Sequence, residues 1–308
     1  MGLTNFPNGL SSFGIPVIGG GGAGLIPATS GSYYWVDSNG SGRGTQGTFK
    51  NPFSTLAAAY TACVASRGDV IVMKPGHAET IATNTALSFS KIGVTVVGLG
   101  SGALRPTLTL TGTSAAVTIS VSAASQTFKN FIISSGMDEL AACWTISAAN
   151  VTIDGVDYVE DDVTHQVLTY ITTTVAAKYL TVCNCTLTQV TAPTGNGAAI
   201  TLVGADDCQI VNNKIWWECT SNAGSGGIHG LTTASLRMWI VGNLVSVQAA
   251  AAIGINPLAA STGVIAFNGV TSTNGAGSIV GRATMLTMEN YAGTTGTTSA
   301  ILDPVAGV

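Results

Sequence analysis

Six short segments of common shape recur along the middle of the chain: FKNFII (128–133), IDGVDY (153–158), VCNCTL (182–187), IVNNKI (210–215), IVGNLV (240–245) and AFNGVT (266–271). They begin at residues 128, 153, 182, 210, 240 and 266, so the steps are 25, 29, 28, 30 and 26 residues. Upstream, VVGLGS (96–101) fits the same phase one longer step earlier. The third position of each unit is Asn130, Gly155, Asn184, Asn212, Gly242 or Asn268. A step of this size excludes heptads, and the β-forming residues exclude paired-helix repeats. One coil of a parallel β-helix fits, with corresponding residues stacked from coil to coil. Asn and Gly tolerate left-handed backbone at a bend, and stacked Asn amides hydrogen-bond along such a column. The expected fold is therefore all-β, a single-stranded parallel β-helix.

The flanking segments give the rest of the organisation. Residues 1–32 carry no charge, and apolar Phe6, Phe13, Ile15, Val17 and Ile18 are interrupted by Pro7, Pro16 and a run of four glycines. That density of Gly and Pro prevents a helix, and the absence of alternation argues against an ordinary strand. An extended apolar arm is expected there, with Phe6, Pro7, Phe13, Ile15, Pro16, Val17 and Ile18 as its partner-binding residues. Residues 33–68 read as a leading strand and a short capping α-helix, with Ser54 as N-cap and Leu56, Ala59, Tyr60, Cys63 and Val64 on one face. Residues 69–272 form the β-helix, and residues 273–308 a C-terminal extension rich in Gly, Thr and Ala.

Composition restricts the partners. Only 8% of the residues are charged, against about 25% in ordinary soluble domains. No run of about 18 uninterrupted apolar residues marks a membrane span. A net charge of −4 with scattered Lys and Arg offers no basic stripe for nucleic acid. A surface so poor in charge implies burial against other subunits. The N-terminus has no basic residue, and Pro and Gly break its apolar stretches, so no signal peptide is read there. The six cysteines lack the close CxxC pairs of a zinc site and read as buried reduced thiols. Cys183 and Cys185, two apart, are expected on one face of a strand.

One stretch, RGDVIVMKPGHAETI (67–81), offers an Arg-Gly-Asp tripeptide, a His-x-Glu pair and a Pro-Gly turn. The tripeptide straddles a helix-to-strand junction rather than a loop tip, and His77 and Glu79 lack a third ligand. The stretch reads as the start of the β-helix, with Val70–Met73 its first strand and Pro75-Gly76 its first corner.

An aromatic strand, a GT…NPF segment, a short helix, GDVIVMKPGHAETI and then GVTVVGLGSG together resemble the beginning of right-handed parallel β-helix proteins of the pectin-lyase-like superfamily. The resemblance spans residues 33–272. It implies the fold, and that group includes lyases, hydrolases, adhesins and phage spikes.

Glycoside hydrolysis needs paired carboxylates across the scissile bond. The candidates are Asp206-Asp207, Glu160-Asp161-Asp162, Asp154 with Asp157, and Asp138-Glu139. GADDC (204–208) followed by GGIHG (226–230) is similar to the Asp-Asp and Gly-His-Gly motifs of β-helical polygalacturonases. Here Ile228 interrupts the second motif, and Arg237 and Arg282 lack a Lys two residues on. A lyase would need calcium-binding acids with a basic residue beside them, and Glu160-Asp161-Asp162 has none in repeat register. Trp216 and Trp217 could stack on a sugar, and alternation sends one of them into the core. Nucleophile, metalloprotease and nucleotide motifs are absent. The chain is expected to have no enzymatic activity and no cofactor or metal.

An uncharged arm before a β-helix body resembles virion proteins of tailed bacteriophages. The short body, the missing catalytic acids and the short arm favour a capsid decoration (cement) protein made in the host cytoplasm. That resemblance implies a homotrimer that binds the major capsid protein through its arm. The alternative is a tail spike or fibre that binds host polysaccharide, or a β-helical polysaccharide hydrolase or lyase.

Overall fold

In the computed structural model the described residues are 10–12, 15–17, 26–27, 29–40, 46–83, 87–112, 117–195, 197–219, 226–249, 252–272, 279, 284–294 and 299–302. The chain winds as a parallel β-solenoid with three sheets. The first sheet has ten strands, from Tyr33–Val36 through Val70–Met73 to Met285–Met288. The second has ten, from Ala78–Ile81 to Ser299–Leu302, and the third has seven, from Ser88–Phe89 to Ile253–Asn256. Strand order in each sheet follows the chain, as successive coils require.

Alternation explains why these residues stack. In the first sheet Val96, Phe128, Ile153, Val182, Ile210, Ile240 and Ile265 lie in register and are fully buried. Their neighbours on either side face outward. Aromatic rings continue the stack at one end: Tyr60, Phe89, Phe128 and Trp144 follow one another with centroids 4.8, 4.7 and 4.8 Å apart. Such edge-on contacts add to the burial of each ring.

From Thr127–Lys129 to Gly263–Ala266 a two-residue corner joins each first-sheet strand to its second-sheet strand, and this corner forms two columns that the coil at 285–294 continues. In the outer column Asn130, Gly155, Asn184, Asn212 and Gly242 have φ of 57°, 61°, 56°, 56° and 71°, followed by Phe267 at 56° and Glu289 at 46°. Left-handed backbone costs Asn and Gly least. The next residue turns inward: Phe131, Val156 and Cys185, then Asn213, Asn243, Asn268 and Asn290, all buried. Asn268 therefore does not belong to the bend column where the repeat alignment put it. Ala266 pairs with Val241, so that coil begins one residue earlier and Phe267 takes the bend.

The four inner asparagines form a ladder. Asn268 Oδ1 accepts the backbone N–H and the Nδ2–H of Asn243, both at 2.9 Å, and Asn290 Oδ1 accepts the same two groups of Asn268 at 3.1 and 2.9 Å. Each Nδ2 also donates to a strand carbonyl, from Asn213 to Val182 and from Asn243 to Ile210. Every polar atom taken out of water at this corner has a partner.

Several expected boundaries shift. The solenoid does not stop at 272: Met285–Met288 and Asn290–Thr294 stack in parallel on Gly263–Ala266 and Gly269–Ser272. Ser299–Leu302 then runs antiparallel along Asn290–Thr294. Tyr33–Val36 pairs with Val70–Met73 and belongs to the first sheet. The helix is Leu56–Ala62, and its N-cap is Thr55, whose Oγ1 accepts from the Ala58 N–H at 3.2 Å, not Ser54. The helix ends at Cys63, leaving Val64 exposed. In the apolar arm, Leu10–Ser12 and Ile15–Val17 pair antiparallel, with Pro16 opposite Ser11. The reading that the arm holds no ordinary strand is corrected for these residues, because a two-stranded edge tolerates a proline without an N–H. Phe6, Pro7, Phe13 and Ile18 lie outside the described residues.

Among the described residues no disulfide joins the six cysteines. Cys183 and Cys185 face opposite ways because left-handed Asn184 stands between them, so Cys183 is half-buried outside and Cys185 lies in the core. Burial pushes the Cys63 and Cys208 thiols up to about 12.

The two columns predict different mutational costs. Asn268→Ala removes the acceptor of the Asn243 backbone N–H and Nδ2–H and leaves Asn290 Oδ1 only the backbone N–H of residue 268, which should cost about 3 kcal/mol. Asn212→Gly, in the bend column, should cost far less. Urea unfolding midpoints check the pair, and equal costs would contradict the ladder assignment.

Candidate functional site

The residues singled out in the sequence are largely structural staples. Asp69 of the Arg-Gly-Asp tripeptide is fully buried. Its carboxylate accepts from Arg67 Nε and Nη2 at 2.6 and 2.7 Å and from the Ser32 and Val64 N–H groups at 2.8 and 2.7 Å. A Cβ on Gly31 would lie 2.6 Å from Asp69 Oδ1, so only glycine lets the chain pass there. The carboxylate thus ties the leading strand, the helix exit and the first coil together. His77 Nε2 lies 3.2 Å from Glu79 Oε2, and that oxygen accepts the Leu56 N–H at 2.6 Å, holding the helix start. Among the described residues no group of three His, Cys, Asp or Glu could hold a metal ion.

The carboxylate pairs are engaged as well. Asp207 sits in a left-handed turn and accepts from Arg237 Nε and Nη2 at 2.6 and 2.7 Å, which holds its carboxyl below the usual range. Asp206 accepts the Leu236 N–H at 2.9 Å. His229 stands elsewhere, on the third sheet between Thr201 and Asn256, where burial lowers its pKa. The acids and the imidazole suggested by the motif comparison are not brought together. Asp154 pairs with Lys129 at 3.1 Å, and Asp157 with Arg105 at 2.5 Å. Glu160 accepts the N–H groups of Val190 and Thr191, Asp162 accepts from Thr164, and Glu139 accepts from Thr194 and Gly195.

The structure brings a different set of residues together, on the outward face of the second sheet. Two outward rows run across its strands: Thr186, Lys214, Leu244, Gly269 and Tyr291, and beside them Thr188, Trp216, Ser246, Thr271 and Gly293. Trp216 and Tyr291 are 46% and 62% exposed, whereas adjacent Trp217 is 1% exposed and in the core. Their strands are three steps apart, so the rings stand roughly 14 Å from each other along the sheet. Between them lies an open groove of about 540 Å³. Its floor stays low because Gly269 and Gly293 lack side chains, and Ser246 and Thr271 bring hydroxyls to it. Glu218 follows on the same face as Trp216; burial, and then the nearby Glu160, raise its carboxyl.

Sequence reading found Trp216 but missed Tyr291, Leu244 and Thr271. Tyr291 lies in the segment assigned to the C-terminal extension, and the others become neighbours only through the coil register.

No protein-family model matches the chain, and no curated protein matches it. Among solved structures it is similar to a rhamnogalacturonan lyase, at 16% identity and a TM-score of 0.49, covering 79% of this chain and 74% of that one. It is also similar to the pectate lyase Pel9A, at 13% identity and a TM-score of 0.46, covering 79% and 64%. Likeness at this level transfers no residue role. The expectation of a chain without enzymatic activity is nevertheless corrected: both solved structures are named lyases, and missing motifs do not exclude catalysis on such a coil.

Asp69 gives a pH prediction. Burial alone would raise its carboxyl, but Arg67 and the two N–H groups overcome this and hold it below the ordinary value of 3.8. Its contribution is therefore complete above that value and lost as pH falls through the folded-state pKa. Asp69→Asn should cost about 3 kcal/mol at neutral pH, and the gap to the unmutated chain should close in acid. Thermal unfolding across pH measures it; a gap that widens in acid would contradict the assignment.

Proposed function

We propose that this chain binds a polysaccharide laid across the outward face of its second sheet. One observation carries the reading: two exposed aromatic rings, Trp216 and Tyr291, wall a low, uncharged groove with hydroxyls on its floor. A sugar ring has an apolar C–H face and a rim of hydroxyls. The first suits stacking on an aromatic ring, and the second suits hydrogen bonds to Ser246 and Thr271. An open groove that crosses several strands accommodates a polymer better than an enclosed pocket would. The scarcity of charge favours a neutral glycan over a polyanion.

A second reading is a virion structural protein fixed to a capsid. One observation favours it: among the described residues the Leu10–Ser12 and Ile15–Val17 strands pair with each other and with no strand of the solenoid, which suits a separate attachment element.

Affinity electrophoresis and calorimetry of the full chain against a panel of neutral and acidic polysaccharides test the proposal. Trp216→Ala and Tyr291→Ala should each weaken binding about tenfold, a loss of roughly 1.4 kcal/mol, without changing the unfolding midpoint. Reducing ends and unsaturated products should be followed in the same samples to detect cleavage. Binding that survives both substitutions would overturn the groove assignment.

A further inference from the structure

Each coil of a solenoid contributes the same position to an outward column, so a change along one column reports what the outside meets rather than what the fold needs. In the leading coils the outward columns of the first sheet carry Val70, Val72 and Val97, which the chain itself covers with Ile26, Tyr33, Trp35 and Leu99. From Thr127 onward one column reads Thr127, Thr152, Thr181, Gln209, then Trp239, Val264 and Leu286. Its neighbour reads Lys129, Asp154, Cys183, then Val211, Val241, Ala266 and Met288. Both columns turn from polar to apolar over the C-terminal coils. Trp239, Leu286 and Met288 remain 49%, 61% and 40% exposed.

The corner beside these columns departs in the same coils. Phe267 occupies the bend that Asn or Gly holds in the five preceding coils, with φ of 56° and 51% exposure. A bulky side chain gains nothing from left-handed backbone or from facing water.

We infer that the first-sheet face of the C-terminal coils, with Trp239, Val264, Leu286, Met288 and Phe267, is a surface on which a second copy of this chain docks. Scaling their exposures by ordinary side-chain areas, these five residues offer roughly 450 Å² of apolar surface. A standard interface buries about 800 Å² per partner, of which about 450 Å² is apolar. The match in area points to a stable association rather than a passing encounter. The side chains of the patch carry no charge that would have to find an opposite, so the same patch on another copy satisfies it. The glycan groove lies past the corner, on the other sheet, so the two readings stand or fall separately.

Light scattering and sedimentation velocity of the full chain, from low to high micromolar concentration, test this. The unmutated chain should self-associate. Trp239→Glu combined with Leu286→Lys should weaken association at least about tenfold, with an unchanged circular dichroism spectrum. Phe267→Asn restores the residue favoured at this bend, so it should keep or raise the unfolding midpoint while also weakening association. A monomeric unmutated chain would overturn the inference, and so would a folded Phe267→Asn variant that associates as before. If the double variant fails to fold, the Phe267→Asn result decides alone.

Discussion

The left-handed corner between the first and second sheets is the constraint on which the rest of this structure depends. A chain that turns within two residues must place one residue in backbone that most side chains resist, and point the next into the interior. The first condition selects Asn and Gly on the outside. The second leaves a buried column that is apolar in the early coils and asparagine from Asn213 to Asn290. That ladder satisfies its own amides and carries backbone N–H groups from one coil to the next. The register of both flanking sheets follows from it, because one slipped residue would move an amide out of line and reverse every side chain beyond it.

Fixed register is what allows an outer surface to be built at all. Trp216, Ser246, Thr271 and Gly293 come from four strands separated by loops of different lengths, yet they form one straight row. The same arithmetic aligns Trp239 with Val264 and Leu286 across the corner. Two faces of one prism thus acquire separate chemistry, one grooved and hydroxyl-bearing, the other apolar. The adjacent carboxylates that the sequence offered as catalysts take no part in the groove. They fasten turns and coils, as Asp69 does for the first coil and Asp207 for the turn beside Arg237.

The fold was legible because the corner leaves a mark in residue type, and the mark repeats. The alignment slipped where the mark failed: with Phe267 at the bend, Asn268 looked like the corner residue. The coil at 285–294 was missed for a related reason, since Glu289 holds its bend and resembles no earlier coil. The arm read as lacking an ordinary strand because Gly and Pro suppress the alternation that signals one, yet Ile15–Val17 pairs across Pro16. The site was much less legible. Acids adjacent in sequence drew attention as possible catalysts, but adjacency along the chain places them in turns. The groove is assembled from residues 214–293, and of these only Trp216 stands out without the register.

Amide hydrogen exchange on the chain with and without bound polysaccharide tests the placement of the glycan site most directly. Slowed exchange should concentrate in Lys214–Glu218, Leu244–Gln248, Gly269–Ser272 and Asn290–Thr294. Slowed exchange confined to Ala198–Leu202 and Gly226–Gly230 on the third sheet, with the second sheet unchanged, would contradict it.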